Sequence, residues 1–562
     1  MNDTERLDVY HFHEREFDSI DDLRDWFEWE VPDTFNMARY VCDRWAEAEP
    51  NKVALYVRER DGSQTAYSFG QLRHDANRFA NYLREQGIER GDRVVVNGKQ
   101  RAESLIAHLA VFKLGAVSVP ISVLLGTDGL RYRLDDCEAS AFVVDEDAVE
   151  ALRAIRDDVD SLDLVVTMGD FDEGDEVRFR DAVEGRSPAF STVETDAEDA
   201  AFIIYTSGTT GDPKGVVHAH RHLLGELPQY LSLVSHETGP EQVTRTISEW
   251  SWIMSLPGVV LPALFYGVTV LGCPSERFDA ETEFELVERF GVTHLNLPPT
   301  AVRMMMQVDD PTDRYDLSSL QGLSTGGESA GTTIIEWVES TFENAAFLEG
   351  YGTTELGGVI CDDPAMGCDH RLGYFGVPSV GHEFAVFDPE TGERVEEPDT
   401  IGELAMRYEG DPEVFVEYLG KPEQTSETKR DGWVYSGDLV SFDEDGYYRF
   451  HSRSDDLIVS SGYRIAPKEI EEALDAHEAV QNAGVIGVPH DTRGEVPKAF
   501  VVLNEGYEGT DELREELQAD VKKRLAKYEY PRELEFVKQL PQTTTGKVKR
   551  TTLREREGID EE

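Results

Sequence analysis

Cysteine, lysine and positive charge in general are all scarce in this sequence. Five cysteines (Cys42, Cys137, Cys273, Cys361 and Cys368) are spread over 562 residues with no CxxC pair, so neither a disulfide framework nor a cysteine-based metal site is available, and the compartment reads as reducing. Lysine occurs 14 times, and Lys and Arg together number 54 against 112 Asp and Glu, a formal net charge of −58. So little positive charge excludes a nucleic-acid grip built on phosphate neutralisation. The acids run along the whole chain, and with 40% hydrophobic and 10% aromatic residues this is no disordered acidic polymer. The composition is that of a surface kept hydrated in concentrated salt, which points to the cytoplasm of an extreme halophile.

Targeting signals are absent too. The start, MNDTERLDVYHFHEREFDSIDD, has neither the basic region nor the apolar run of a secretory signal. One uncharged stretch is long enough to span a bilayer, Trp250 to Gly272, but it holds Pro257 and Pro262 and lacks flanking Lys or Arg. It reads as a buried helix, PGVVLPALFYG, followed by a buried strand, VTVLGC.

Short β-branched runs alternate with helical patterns over most of the remainder: VALYVRE, QLRHDANRFANYLREQG, DRVVVNG, ESLIAHLAVFKLG, AVSVPI, then AFVVDE, LDLVVTMG and AFIIYT. Strand and helix in alternation predict parallel sheets covered by helices. From Gly376 to Phe450 the strands shorten and turns multiply, and after Arg453 a βαββαβ-like pattern restarts, with eight of the 14 lysines beyond Ser454. The expected fold is therefore mixed α/β. A large domain, residues 1–453, carries a β-rich subdomain near 376–453, and a small mobile α+β domain covers 454–562.

The most informative segment is Thr206-Ser-Gly-Thr-Thr-Gly-Asp-Pro-Lys-Gly215, directly after the apolar run AFIIY. Glycines and hydroxyls after a strand make a loop whose N–H and O–H groups can surround phosphate oxygens, and Lys214 adds a cation. Lys214 is followed by Gly215, so this is not a Walker A loop. A plain Gly/Thr hairpin would explain the glycines but not four hydroxyls and a lysine in this order.

At this loop the sequence resembles the AMP-forming adenylating superfamily of acyl-CoA synthetases, luciferases and nonribosomal adenylation domains. The resemblance recurs in family order at Gly327-Glu328-Ser329, Glu349-Gly350-Tyr351-Gly352-Thr353-Thr354-Glu355, Tyr435-Ser-Gly-Asp438, Arg453-Ser-Asp-Asp456, Ser461-Gly462-Tyr463-Arg464 and Pro541 to Lys547. It implies that Thr206, Ser207, Gly208, Thr209, Thr210 and Lys214 hold ATP phosphates and that Thr354 is a donor to the α-phosphate. Glu355 is the implied Mg²⁺ ligand; Tyr351 stacks on adenine with Gly327, Glu328 and Ser329 opposite, and Glu349, Gly350, Gly352 and Thr353 complete the nucleotide site. Asp438 binds ribose, Arg453 lies near ribose and phosphate, and Asp455 is the hinge. Lys547 is the catalytic lysine of adenylation. Such chemistry joins two anions, so cations and oriented donors are what the site must supply.

The stretches around Ser461, Pro489 and Lys527 are similar to the medium-chain acyl-CoA synthetases and their acetyl-CoA synthetase relatives. By position, CoA would meet Ser461, Gly462, Tyr463, Arg464, Arg493, Lys522 and Tyr530. Two departures stand out: Ser452 replaces the family's glycine before the hinge-region arginine, and Gly352 replaces the tryptophan of acetate-specific members. A missing indole implies an acid larger than acetate, with Trp250, Trp252, Gly352, Gly357 and Gly358 lining its pocket. No second base or cation stands out to recognise a charged tail. A short- or medium-chain fatty acid is the expected substrate, a benzoate-type aryl acid or acetate and propionate the alternatives, and a catalytically silent nucleotide-binding homologue the non-enzymatic one.

The charge yields a prediction of its own. Lowering salt from 1 M to 0.1 M lengthens the screening distance from about 3 Å to about 10 Å, so neighbouring carboxylates begin to repel. Melting temperature should fall, and KM for anionic ATP should rise, as KCl is removed; a melting temperature that stays flat or rises across the series contradicts the halophile reading.

Overall fold

The alternation of β-branched strands and helices is realised as two large parallel-rich sheets. The structure is a computed structural model. It describes residues 6–559 except 170–175, 207–212, 276, 328–329, 343, 455, 461–462, 491–492, 505, 526–529 and 543–547. Ser207, Gly208, Thr209, Thr210, Glu328, Ser329, Asp455, Ser461, Gly462 and Lys547 therefore lie outside the described residues, and Tyr463 and Arg464 are described as backbone only.

The chain divides into two compact units. The first comprises 1–206, 213–383 and 406–434, and the second 207–212, 384–405 and 435–562. In the first unit an eight-stranded sheet runs in the order Glu417–Tyr418, Lys214–Ala219, Ala200–Thr206, Val117–Pro120, Arg93–Asn97, Ala141–Asp145, Leu164–Met168, Val177–Arg178. Its strands from Ala200 outward are parallel, while Lys214–Ala219 and Glu417–Tyr418 join antiparallel. The second sheet has nine strands, with a parallel centre through Val53–Arg58, Thr269–Gly272, Val243–Thr246, His294–Asn296, Gly322–Gly326 and Ala346–Thr353. Gly357–Cys361 then adds to it antiparallel.

Helices cover the sheets as the periodicity requires. Phe69–Glu85 opens with a capping box between Ser68 and Gln71 and buries Leu72, Ala76, Phe79 and Leu83 on one face, as its spacing predicts. Ala102–Leu114 has no polar stripe and is buried almost all round, ending at Gly115 in the left-handed conformation (φ +68°) that glycine adopts without strain. Its Lys113 is fully buried and tied to Asp43, whose other oxygen accepts from Thr192 Oγ1 at 2.6 Å. Arg245, also buried, makes a fork to Glu283, with Nε donating to Oε2 at 2.6 Å and Nη2 to Oε1 at 2.5 Å. Both of these buried charges are paired, as desolvation demands.

Trp250–Gly272 resolves into the expected buried pieces, a helical segment Leu256–Phe265 and the strand Thr269–Gly272. Among the described residues no helix is long and apolar enough to cross a membrane.

In the second unit, Val480–His490 and Gly494–Leu503 form a long hairpin joined by Glu533–Phe536 and Ile458–Ser460, with helices Pro467–Asp475, Asp511–Arg524 and Arg550–Arg556. Ile458–Ser460 also pairs antiparallel with Tyr463–Ile465.

Candidate functional site

The phosphate-loop motif begins and ends on adjacent strands. Ala200–Thr206 is a buried apolar strand, and its last residue, Thr206, is the register partner of Lys214 on the strand that follows. Beyond Lys214 lies a third strand, Glu417–Tyr418, with Tyr418 opposite Val216. That pairing places the Lys214 ammonium 5.0 Å from the centre of the Tyr418 ring, within range of a cation–π attraction. The same tyrosine donates its hydroxyl hydrogen to Glu355 Oε1 at 2.7 Å, while Phe415 N–H donates to the Glu355 carbonyl at 3.0 Å. Lys214 and Glu355, far apart in sequence, thus share one intermediary. Sequence reasoning missed Tyr418, because its role follows from strand register rather than from any motif.

Glu355 and Thr354 sit in the turn between Ala346–Thr353 and Gly357–Cys361. Leu356 N–H donates to Thr353 Oγ1 at 3.2 Å and closes that turn. On the other edge, Gly350 pairs with Gly326, where a Cβ on Gly326 would lie 2.9 Å from the Gly350 carbonyl oxygen. Gly327 follows with φ +85°, so the chain turns there in a conformation that glycine tolerates. Glu349 is buried; its N–H donates to Asp362 Oδ2 at 2.7 Å and its carboxylate accepts from Ala330 N–H at 3.4 Å. It braces the motif, since its carboxylate reaches the segment after Gly327. The Tyr351 ring centre is 4.8 Å from that of Phe375.

In the second unit, Asp438 and Arg453 are register partners on one hairpin, and Arg453 Nη1 donates to Asp438 Oδ1 at 2.9 Å and to the Ser436 carbonyl at 3.1 Å. Two residues chosen for separate contacts are therefore one ion pair. Ser452, at the departure from the family's glycine, is buried and pairs with Leu439 in the same ladder. Among the expected CoA contacts, Lys522 Nζ lies 4.8 Å from the centre of the Tyr530 ring, and Arg532, which sequence reading did not single out, is 5.1 Å from it and donates to the Tyr530 hydroxyl at 3.3 Å. Arg493 donates its N–H to the His490 carbonyl at 3.3 Å, at the end of the long hairpin.

The glycines expected to line the acyl pocket sit around the same hairpin. Gly352, Gly357 and Gly358 do face one another across the hairpin, but a Cβ on Gly352 would lie 2.1 Å from the Gly357 carbonyl oxygen and 2.9 Å from Gly358 Cα. The direction an indole would take from residue 352 is filled by the partner strand. Around Gly357 and Gly358 the nearest atoms belong to Glu413 and Gln229. Trp250 instead packs as a core aromatic on Gly272, and Trp252 donates its N–H to the Glu249 carbonyl at 3.2 Å.

Those neighbours belong to a buried group of titratable and polar side chains. His218, His222, Glu226, Gln229, His382 and Glu413 are all buried behind the turn. Burial pushes the His218 imidazole well below its usual range, against a pull from the Thr354 backbone. Burial lowers His382 as well, but the Asp411 and Glu413 carboxylates outweigh it and hold its pKa up at about 10. Burial, then the neighbouring Glu226, raises the Glu413 carboxyl well above the usual carboxylate range. None of these groups carries a motif, so only the fold collects them.

As a metal site, the turn offers one carboxylate, Glu355, flanked by hydroxyls. That fits Mg²⁺, which takes one or two carboxylates and completes its shell with phosphate oxygens and water.

Residues 42–419 match the AMP-binding enzyme family and residues 469–547 the AMP-binding enzyme C-terminal domain. The chain belongs to the AMP-binding enzyme family. It is 34% identical over 519 residues to the uncharacterized acyl-CoA ligase YtcI of Bacillus subtilis (strain 168), covering 91% of this chain and 94% of that protein. It is also 31% identical over 558 residues to the mitochondrial acyl-coenzyme A synthetase ACSM3 of Mus musculus, covering 97% and 94%. Among solved structures it superposes on the anthranilate CoA ligase AuaEII in complex with anthranoyl-AMP with a TM-score of 0.85 at 27% identity, covering 94% of this chain and 98% of that one.

The tyrosine at the centre of the row is directly testable. A hydrogen bond to a charged group contributes about 1.5–3 kcal/mol, so Tyr418→Phe should lower kcat/KM for ATP by about 10- to 100-fold with little change in melting temperature. An unchanged kcat/KM would separate Tyr418 from the site.

Proposed function

We propose that the chain is an AMP-forming acyl-CoA synthetase. The observation that carries this reading is the row Lys214–Tyr418–Glu355, which supplies a phosphate-binding cation and a metal-binding carboxylate within a family whose members activate acids with ATP. In the first step a carboxylate oxygen of the acid attacks the α-phosphorus of ATP and pyrophosphate leaves, giving an acyl-adenylate. In the second, the sulfur of CoA attacks the acyl carbon, the thiol proton is lost, and AMP leaves.

Thr206 to Thr210 and Lys214 hold the phosphates, and Thr354 donates to the α-phosphate. Mg²⁺ at Glu355 would neutralise charge on the phosphate oxygens. Tyr351, with Gly327 to Ser329, holds adenine; Asp438, steadied by Arg453, holds ribose. Lys547 brings a cation to the carboxylate and α-phosphate together. Ser461 to Arg464, Arg493, Lys522 and Tyr530 form the CoA path on the domain from residue 454 onward, which swings about Asp455 between the two steps. The acid is a short- or medium-sized carboxylic acid. An aryl acid is the second reading, favoured by the overlap with an anthranilate CoA ligase.

The two half-reactions should separate by mutation. Lys547→Ala should abolish acyl-adenylate formation while sparing thioester formation from supplied acyl-AMP, and Gly462→Leu should do the reverse by obstructing the thiol. If both variants lose the same half-reaction, the two-step, two-face reading is wrong.

A further inference from the structure

The helix His222–Leu233 is buried on every side, yet the stripe it turns toward the adenylating hairpin is polar. His222, Glu226 and Gln229 recur at i, i+4 and i+7, where a buried helix face is ordinarily apolar. Glu413 and His382 meet them from other parts of the same unit. His222 Nδ1 donates to the Glu413 carbonyl at 2.8 Å, and its Nε2 lies 3.2 Å from Glu226 Oε1. His382 bridges Asp411 Oδ2 at 2.7 Å and Glu413 Oε2 at 3.0 Å.

Glycines make room for this group. A Cβ would fall 1.8 Å from Glu413 Oε1 at Gly357, 1.5 Å from Gln229 Oε1 at Gly358 and 2.3 Å from Glu413 Cβ at Gly225. The cluster therefore touches the second and third residues after Glu355. It also reaches Thr354 through His218, whose ring centre is 4.5 Å from that of His222.

Several of its polar atoms have no hydrogen-bond partner: both ends of the Gln229 amide, Glu226 Oε2 and Glu413 Oε1. All three side chains are fully buried, where such atoms are costly to leave unpaired. With burial raising the Glu413 carboxyl, the acceptors left to be met are Gln229 Oε1 and Glu226 Oε2. The complement is a ligand group that donates.

We propose that Gln229 and Glu226 are specificity-determining residues for the acid, and that they accept hydrogen bonds from an amine or hydroxyl on its tail. The ligase then activates an amino- or hydroxy-substituted carboxylic acid in preference to the unsubstituted acid of the same skeleton. This rests on the acyl-CoA synthetase reading and names the substrate class within it. A site built to bond such a group penalises an analogue without it heavily, because its own buried atoms are left unpaired.

The experiment is acid-dependent ATP–pyrophosphate exchange, with matched sets: hexanoate, 6-aminohexanoate and 6-hydroxyhexanoate; benzoate, 2-aminobenzoate and 4-hydroxybenzoate. At least one amino or hydroxy acid should exceed its parent by about 100-fold or more in kcat/KM, and the amine and hydroxyl arms identify which donor is taken. Gln229→Leu should cut that ratio at least tenfold. Glu226→Gln, which preserves shape, carries the same test if the leucine variant does not fold. Parents equal to or better than all substituted acids, or a ratio unmoved by both variants, overturns this inference while leaving the ligase reading intact. Exchange with no carboxylate at all overturns the ligase reading itself.

Discussion

The hydrogen bond from Tyr418 to Glu355 ties together the two halves of the nucleotide machinery. Lys214 lies on the eight-stranded sheet and Glu355 on the turn at the end of the nine-stranded one. The short strand Glu417–Tyr418 along the edge of the phosphate-loop hairpin links the cation to the carboxylate. Its hydroxyl fixes the carboxylate in place, and its ring gives the ammonium a face to rest on. A charge-assisted bond of this kind also limits the rotamers available to Glu355, so the carboxylate is oriented before substrate arrives.

That orientation matters more here than in a protein of balanced charge. With 58 excess negative charges, the chain repels the anions it must bring together, so local cations and donors have to overcome a long-range field of the wrong sign. The few lysines are used accordingly. Lys113 is committed to a buried partner, Lys214 stands at the phosphate loop, and eight of the rest fall in the last fifth of the chain. Behind the turn the electrostatics reverse: the Asp411 and Glu413 side chains hold His382 up, while burial and Glu226 raise the Glu413 carboxyl.

Strands and helices were legible because each carries its own period. Phe69–Glu85, Ala102–Leu114 and the strands on either side of them stand where apolar spacing places them. The motif residues were legible as a set because they recur in order. Tyr418, Arg532 and the pairing of Asp438 with Arg453 were not, since each depends on register between segments that sequence cannot align. Gly352 is a case where sequence and backbone speak of different things. The glycine reads as a missing side chain, whereas the backbone of Gly357 and Gly358 occupies that direction. Gln229 and Glu226 belong to no motif, and only burial on every side makes them unusual.

The central claim is the chemistry of ATP cleavage, and the nucleotide product decides it. Purified protein in molar KCl, given Mg·ATP, CoA and a mixture of carboxylic acids, should release AMP and pyrophosphate in step with thioester, with neither product formed when acid is omitted. Release of ADP and phosphate, or AMP release indifferent to acid and CoA, would contradict the account.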